Sequence, residues 1–419
     1  MAKKVVLVTS TQPSLNPRLV KEADTLCNAG YEVTVLYSYW NNWGADFSDQ
    51  LLKTKPWKAI CVGGNPETQG GLYFLSRLIN KIAKAWVNSS TFNFLTDIAI
   101  SRASYCLKRE TKNHPADLYI GHNPGALPAI IAAAKANNKP CGFDAEDFHR
   151  NETSDDSTNL DVRLKTQLED KYLSHLDYFT TSSPEIAMAY QQLYPALNPV
   201  VLLNVFPVSN DVNTNRIGIA TGPLKLFWFS QTIGDRRGLQ DVVAALKSLD
   251  KDSFELHILG SQLHSDPDFI KALLTSGVNL TIHQPIPPDD LVAFASKFDI
   301  GLALEPAFNL NNNLALSNKI FTYLQAGLAV IASDTAAQLS LLHKNQGMGH
   351  VYPKGDHQAL AALLTNYHNN RQQLADNQIE ALRLAREQYN WEVESQKFLA
   401  VVEQTIGVKQ GSQAFYKSS

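Results

Sequence analysis

The sequence predicts an α/β protein built from two doubly wound, Rossmann-like domains facing across a cleft. Three observations predict it. Short, continuous apolar runs alternate with stretches of helical period along most of the chain, the pattern of parallel strands buried on both faces and joined by crossover helices. The 419 residues exceed what one ordinary core accommodates. A polar segment rich in Asn, Gly and Thr, "VFPVSNDVNTNRIGIATG" (205–222), separates two sets of such runs and reads as a linker.

The elements follow in order. "VVLVTS" (5–10) is a β-branched buried strand. In "NPRLVKEADTLCNAG" Asn16 caps a helix, Pro17 fits its first position, and Leu19, Val20, Ala23, Leu26 and Cys27 form its apolar stripe before Gly30 ends it. "YEVTVLY" (31–37) closes a βαβ unit, which implies a parallel sheet with right-handed crossovers. Further strands are expected at 117–122, 140–147, 178–183 and 199–204 in the first domain. The second domain supplies 224–230, 254–260, 279–285, 299–305 and 329–334. Ligands of open α/β sheets bind beyond the carboxyl ends of the strands, so the residues after each strand are the candidates for function.

Composition narrows the classes. With 44% hydrophobic and 18% charged residues the chain is globular, and a formal net charge of -3 gives no overall attraction to nucleic acid. Cys27, Cys61, Cys106 and Cys141 form no C-x-x-C pair and sit beside no spaced histidines, so they read as free thiols of a reducing cytosol. The start "MAKKVVLVTSTQ" is too short in its apolar run for a signal peptide, and no run approaches the roughly 18 apolar residues of a spanning helix. The expected location is the cytoplasm, with one stretch suited to the inner face of a membrane. "LYFLSRLINKIAKAWVNSSTFNFL" (72–95) sets Arg77, Lys81 and Lys84 at i, i+4 and i+7 among Leu, Ile, Phe and Trp, with no acid. The alternative is a core-packing helix with a solvated basic face.

The most informative stretch is "LSNKIFTYLQAGLAVIASD" (316–334). Ser317 and Asn318 are good caps, but Lys319 puts a positive charge where the helix dipole is already positive. An anion on the helix N-terminus reconciles the two; an ordinary capped helix with a solvent-facing lysine is the alternative. "FWFSQTIGDRRGLQDVVAAL" (227–246) adds a second cationic feature: Gln231 and the flexible Gly234 after a strand, then Arg236-Arg237-Gly238, then a helix. Adjacent arginines there suit a diphosphate.

With these two stretches the chain resembles GT-B-fold retaining glycosyltransferases of family 4 (glycosyl transferases group 1). The likeness also covers "NPRLVKEADTLCNAGYEVTVL", "FDAEDFH" (143–149) and "YNWEVESQKFLAVVEQT" (389–405). It implies an N-terminal acceptor domain (1–208), a nucleotide-sugar donor domain (209–385) and a final helix (386–419) crossing back to the first domain. It further implies Arg237 on the donor diphosphate, Ser317, Asn318 and Lys319 entering the phosphate-binding helix, and His122 near the donor sugar, with His122, Arg237 and Lys319 as the catalytic group. Two acids usual in such proteins, eight residues apart, fall here on Leu314 and Thr322, and the basic partner of Arg237 falls on Thr232. Thr322 is kept as a donor-side position, and Glu305 is the nearest acid able to substitute. Asp144, Glu146, Asp147 and His149 stand on the acceptor side, where they orient hydroxyls or simply cap the next helix. No DxD-like cluster lies where a metal-bound diphosphate needs it, so no metal and no cofactor besides the donor substrate is expected. The expected partners are a nucleotide sugar and a saccharide or lipid-linked acceptor. Two alternatives stay open: a non-catalytic nucleotide-sugar-binding relative, and a sugar-nucleotide 2-epimerase.

Overall fold

A computed structural model describes residues 2–89, 94–209, 212, 222–263 and 265–417. The chain divides into two compact units, Met1–Leu202 with Ser395–Ser419, and Leu203–Glu394. The expected boundaries, 208/209 and 385/386, lie after the first of these divisions and before the second. Most of the expected linker, residues 210–211 and 213–221, lies outside the described residues.

The first unit is a seven-stranded sheet of β1 (Lys4–Thr9), β2 (Glu32–Tyr37), β3 (Lys58–Cys61), β4 (Leu118–His122), β5 (Cys141–Ala145), β6 (Tyr178–Thr181) and β7 (Val200–Val201), in the order β3-β2-β1-β4-β5-β6-β7. Every pairing is parallel. Both faces are covered, so Val5, Leu7, Val33, Val35, Leu118 and Ile120 are buried together. The Pro17–Asn28 helix begins as its sequence requires: Asn16 Oδ1 accepts from the Leu19 amide at 2.9 Å, Pro17 takes the first turn, and Gly30 follows the helix at φ +85°. The Trp391–Lys417 helix returns Phe398, Val402 and Ile406 to this core.

The second unit is a six-stranded sheet of β8 (Leu224–Thr232), β9 (Phe254–Ser261), β10 (Leu280–His283), β11 (Ile300–Ala303), β12 (Ala329–Ser333) and β13 (Gly349–Tyr352), ordered β10-β9-β8-β11-β12-β13 and parallel throughout. Its core joins Leu226, Trp228, Ile258, Leu302 and Ile331. The expected strands are present, but β3 and β13 are additions. Both are sheet edges, and an edge strand's composition carries little apolar signal. β13 is also hidden by Gly349, which pairs with Val330 so closely that a Cβ there would fall 1.9 Å from the Val330 carbonyl oxygen.

In each sheet the strand order reverses at one place, between β1 and β4 and between β8 and β11. This is the switch point at which doubly wound sheets open a crevice. Backbone strain marks both. Asn123, directly after β4, holds φ +66°, and Ala307, just beyond β11, holds φ +54°. Non-glycine residues rarely adopt such angles, and where they do the surroundings enforce them. Around Asn123 the enforcers are Thr9 and Thr11, whose hydroxyls donate to its Oδ1 at 2.6 and 3.2 Å.

The Gly70–Ser89 helix rests on its unit through Ser76, Ala83 and Val87 alone among its buried residues. Its large apolar side chains are exposed, which overturns the core-packing alternative.

Candidate functional site

At the switch point of the second unit, β8 ends in Gln231 and Thr232 and the chain turns through Gly234 and Asp235–Arg237 before the Leu239–Lys247 helix. Gly238 makes this turn possible. It adopts φ +74°, and a Cβ there would lie 2.0 Å from the Leu304 carbonyl oxygen. The Arg-Arg-Gly turn is thereby seated on the residue preceding Glu305. Among the described residues neither Arg236 nor Arg237 forms a hydrogen bond or ion pair; Arg236 and Gln231 are exposed and Arg237 is half-buried. Gly238→Ala is expected to lose roughly 1–3 kcal/mol to backbone strain alone, and more to the clash. Its check is a lowered Tm together with loss of any nucleotide-dependent stabilisation.

Beyond β11 the chain carries Glu305 to the start of the Asn318–Gln325 helix. Ser317 occupies the N-cap position, but its side chain does not cap the helix. Its hydroxyl donates to Glu305 Oε1 at 2.8 Å, and Lys319 Nζ lies 2.5 Å from the same oxygen. Both partners of this ion pair are nearly buried, with side chains 12% and 11% exposed. Lys319 is therefore no solvent-facing lysine: its partner is the protein's own carboxylate, held by two side chains at the start of the helix. Burial by itself would raise the Glu305 pKa, but Lys319 and the hydrogen bonds from Ser317 and Asn312 outweigh it and hold the group below its usual range. Lys319 also lies 5.9 Å from the centroid of the Trp228 ring beneath it. Asn318 is exposed at the first helical position. Thr322 is 1% exposed and its hydroxyl turns back to the Asn318 carbonyl at 3.5 Å, so it presents nothing to a ligand.

At the switch point of the first unit the expected roles are redistributed. His122 ends β4, fully buried. Its Nε2 lies 3.1 Å from Glu22 Oε2, and its Nδ1 lies 3.5 Å from Glu146 Oε1 and 3.7 Å from Asp144 Oδ2. Burial opposes the charged ring, but Glu22, Glu146 and Asp144 outweigh it and raise the pKa to about 10. Asp144 is held by Arg18, with Nε at 2.5 Å from Oδ2 and Nη2 at 3.0 Å from Oδ1, and accepts from Thr180 at 2.7 Å. Burial lifts its carboxyl above the usual range, Arg18 notwithstanding. In place of a ring offered to a sugar and a carboxylate offered to an acceptor, the chain has a buried charge cluster. His122, Asp144 and Glu146 bring ligand atoms within 4.8 Å of one another, and the cation that pairs with Asp144 is Arg18. Asp147 is half-buried. His149 is buried with Nδ1 3.2 Å from Glu152 Oε2, a structural pairing.

The sequence reading missed Arg18 and Glu22. Their signal was an oppositely charged i, i+4 pair inside an otherwise apolar helical stripe, which exposed helices also show.

In their two doubly wound parallel sheets these units match the fold of solved GT-B glycosyltransferase structures. Residues 236–400 match the family model described as "Glycosyl transferase-like"; the match begins on Arg236. Among solved structures the chain is similar to Anabaena Alr3699/HepE in complex with UDP and glucose, at 14% identity and TM-score 0.66 over 96% of this chain and 100% of that one. It is similar to the sucrose-phosphate synthase (tll1590) from Thermosynechococcus elongatus at 14% identity and TM-score 0.68, over 97% and 100%. TarM aligns at 10% identity and TM-score 0.67, over 96% and 99%. At such identities the likeness is one of fold. No curated protein matches the chain.

Proposed function

We propose that this chain is a metal-independent, retaining glycosyltransferase of the family-4 type, moving a hexose from a nucleotide sugar to a saccharide or lipid-linked acceptor in polysaccharide or glycolipid assembly. One observation carries the reading: two arginines without a hydrogen bond or ion pair among the described residues, in a turn whose Gly238 packs on Leu304 at the switch point of the unit that the family model overlaps. The HepE structure with UDP and glucose supports a nucleotide sugar as the donor class. The four thiols are free, which suits a reducing compartment, and we place the reaction in the cytoplasm.

Cleavage of the donor's anomeric C–O bond leaves negative charge on the diphosphate. Arg237, with Arg236 beside it, meets that charge as it develops, and a preorganised donor of this kind acts mostly in the transition state. Glu305 takes two parts. Oε1 fixes Ser317 and Lys319, so their charge is partly offset at rest. Among the described residues Oε2 has only Asn312 Nδ2, at 3.5 Å, and it is the atom we assign to donor hydroxyls, in place of the acids replaced by Leu314 and Thr322. On the route the resemblance implies, the acceptor oxygen bonds to the anomeric carbon on the face the diphosphate leaves. The acceptor proton passes to the leaving phosphate, and configuration is retained.

The neutralisation of Lys319 by Glu305 favours a second reading, a relative that binds nucleotide sugars without turnover. A thermal-shift panel of UDP-, GDP- and ADP-sugars is expected to show stabilisation by one nucleotide class, by about 2.7 kcal/mol at a hundredfold excess over Kd. Stabilisation by none of them removes both readings. Stabilisation without nucleotide release in the presence of acceptors selects the second, and donor conversion without any acceptor indicates an epimerase.

A further inference from the structure

The Gly70–Ser89 helix has an outward face that no described residue of its unit covers. Its inner face carries Ser76, Ala83 and Val87, the last two packed with Ala99, Leu164 and their neighbours. On the outside, Leu75, Leu78, Ile79, Ile82 and Trp86 recur at i, i+3, i+4, i+7 and i+11 and are 38% to 57% exposed, one continuous stripe along the helix. Phe94 extends it, 65% exposed with its ring 5.8 Å from Trp86. Arg77, Lys81 and Lys84 form a separate row along one side of the stripe, exposed and without an acidic partner among the described residues, and the helix contains no acid. Arg102 ties this helix to a neighbouring aromatic group. It donates to Ser76 Oγ at 3.2 Å and to the Tyr39 carbonyl at 2.5 Å, and Tyr39 is followed by Trp40 and Trp43, 60% and 55% exposed.

Exposed apolar surface of this extent on a folded unit marks an interaction site. We propose that this face docks on an anionic lipid bilayer, with the helix lying in the interface. Charge complementarity selects the occupant. A stripe of leucine, isoleucine and tryptophan with a row of cations along one side matches acyl chains below acidic headgroups, and tryptophan favours that boundary. The helix lies on the membrane: among the described residues no helix is long and apolar enough to cross one. The docking face does not depend on the transfer reaction, and it fails or stands separately from it.

The test is flotation of the full chain with vesicles of phosphatidylcholine alone or with one part in three of phosphatidylglycerol. Binding to the anionic vesicles, weakened by high salt, is the expected result. Leu78→Asp with Ile82→Asp is expected to abolish it. Replacing Arg77, Lys81 and Lys84 by Gln is expected to weaken it about a hundredfold, about fivefold per cation. All five positions are exposed, so both variants are expected to keep the wild-type Tm. The proposal is overturned if the wild type stays with the lipid-free fraction, or if neither variant changes its flotation. It is equally overturned if light scattering shows the apolar variant dissociating a dimer with no effect of lipid.

Discussion

Arg237→Ala is expected to lower turnover by a factor of 10² to 10³ while leaving the Tm unchanged. The activity loss follows from the size of a single preorganised donor at a developing anion, on the order of 3 kcal/mol. The unchanged stability follows from the structure: Arg237 is half-buried, lies in a turn held by Gly238, and has no described partner to lose. Arg237→Lys keeps the charge without the planar fork and is expected to fall between the two. Arg236→Ala, at the more exposed neighbour, is expected to show the smaller effect. Nucleotide release and thermal unfolding, measured on the same preparations, provide the check. Wild-type release by Arg237→Ala would detach the arginine turn from the chemistry.

Arg18→Ala is expected to have the opposite profile, a large loss of stability in the first unit. Its guanidinium is fully buried, faces Asp144 through two nitrogens, donates to the Leu202 carbonyl at 2.5 Å, and lies 3.6 Å from Glu22. Removing one partner of a buried pair leaves the remaining charges uncompensated, a loss of about 3–5 kcal/mol, or roughly 6–20 °C in Tm for a unit of this size. The same cluster sets a pH dependence. The His122 pKa is raised to about 10 in the folded chain, above its unfolded value near 6.5. Its contribution is therefore fully present below about pH 6.5 and is lost as pH rises toward 10. Unfolding followed from pH 6 to 10 is expected to show falling stability, and His122→Gln is expected to flatten that slope. A slope unchanged by His122→Gln would mean that the ring does not carry the charge assigned to it.

The two variants separate two kinds of residue that look alike in sequence. Arg18 and Arg237 both follow a strand and both stand at the start of a helix. One is consumed by the fold, with three carboxylates around it, and the other has no partner among the described residues. The same holds for the acids. Glu305 and Asp144 both stand near the carboxyl ends of strands, β11 and β5, and both are nearly buried, yet Asp144 faces a guanidinium with both oxygens while Glu305 keeps Oε2 almost unengaged.

What the sequence determined alone was whatever depends on neighbours within a few residues. Continuous β-branched runs gave the buried parallel strands, Asn16-Pro17 and Gly30 bounded the first helix, and Arg236-Arg237-Gly238 and Ser317-Asn318-Lys319 marked the two turns at the second switch point. Each of these is a local preference of backbone or side chain and needs no knowledge of the rest of the chain. Only the tertiary structure decided that Glu305 sits on Ser317 and Lys319, that His122 is enclosed by Glu22, Asp144 and Glu146, and that the stripe from Leu75 to Trp86 is left bare. Those outcomes depend on which side chains arrive together from positions up to about a hundred residues apart. Charge pairing and burial follow from that convergence, because an ionisable group's state is set by the dielectric and the charges around it and not by its place in the chain.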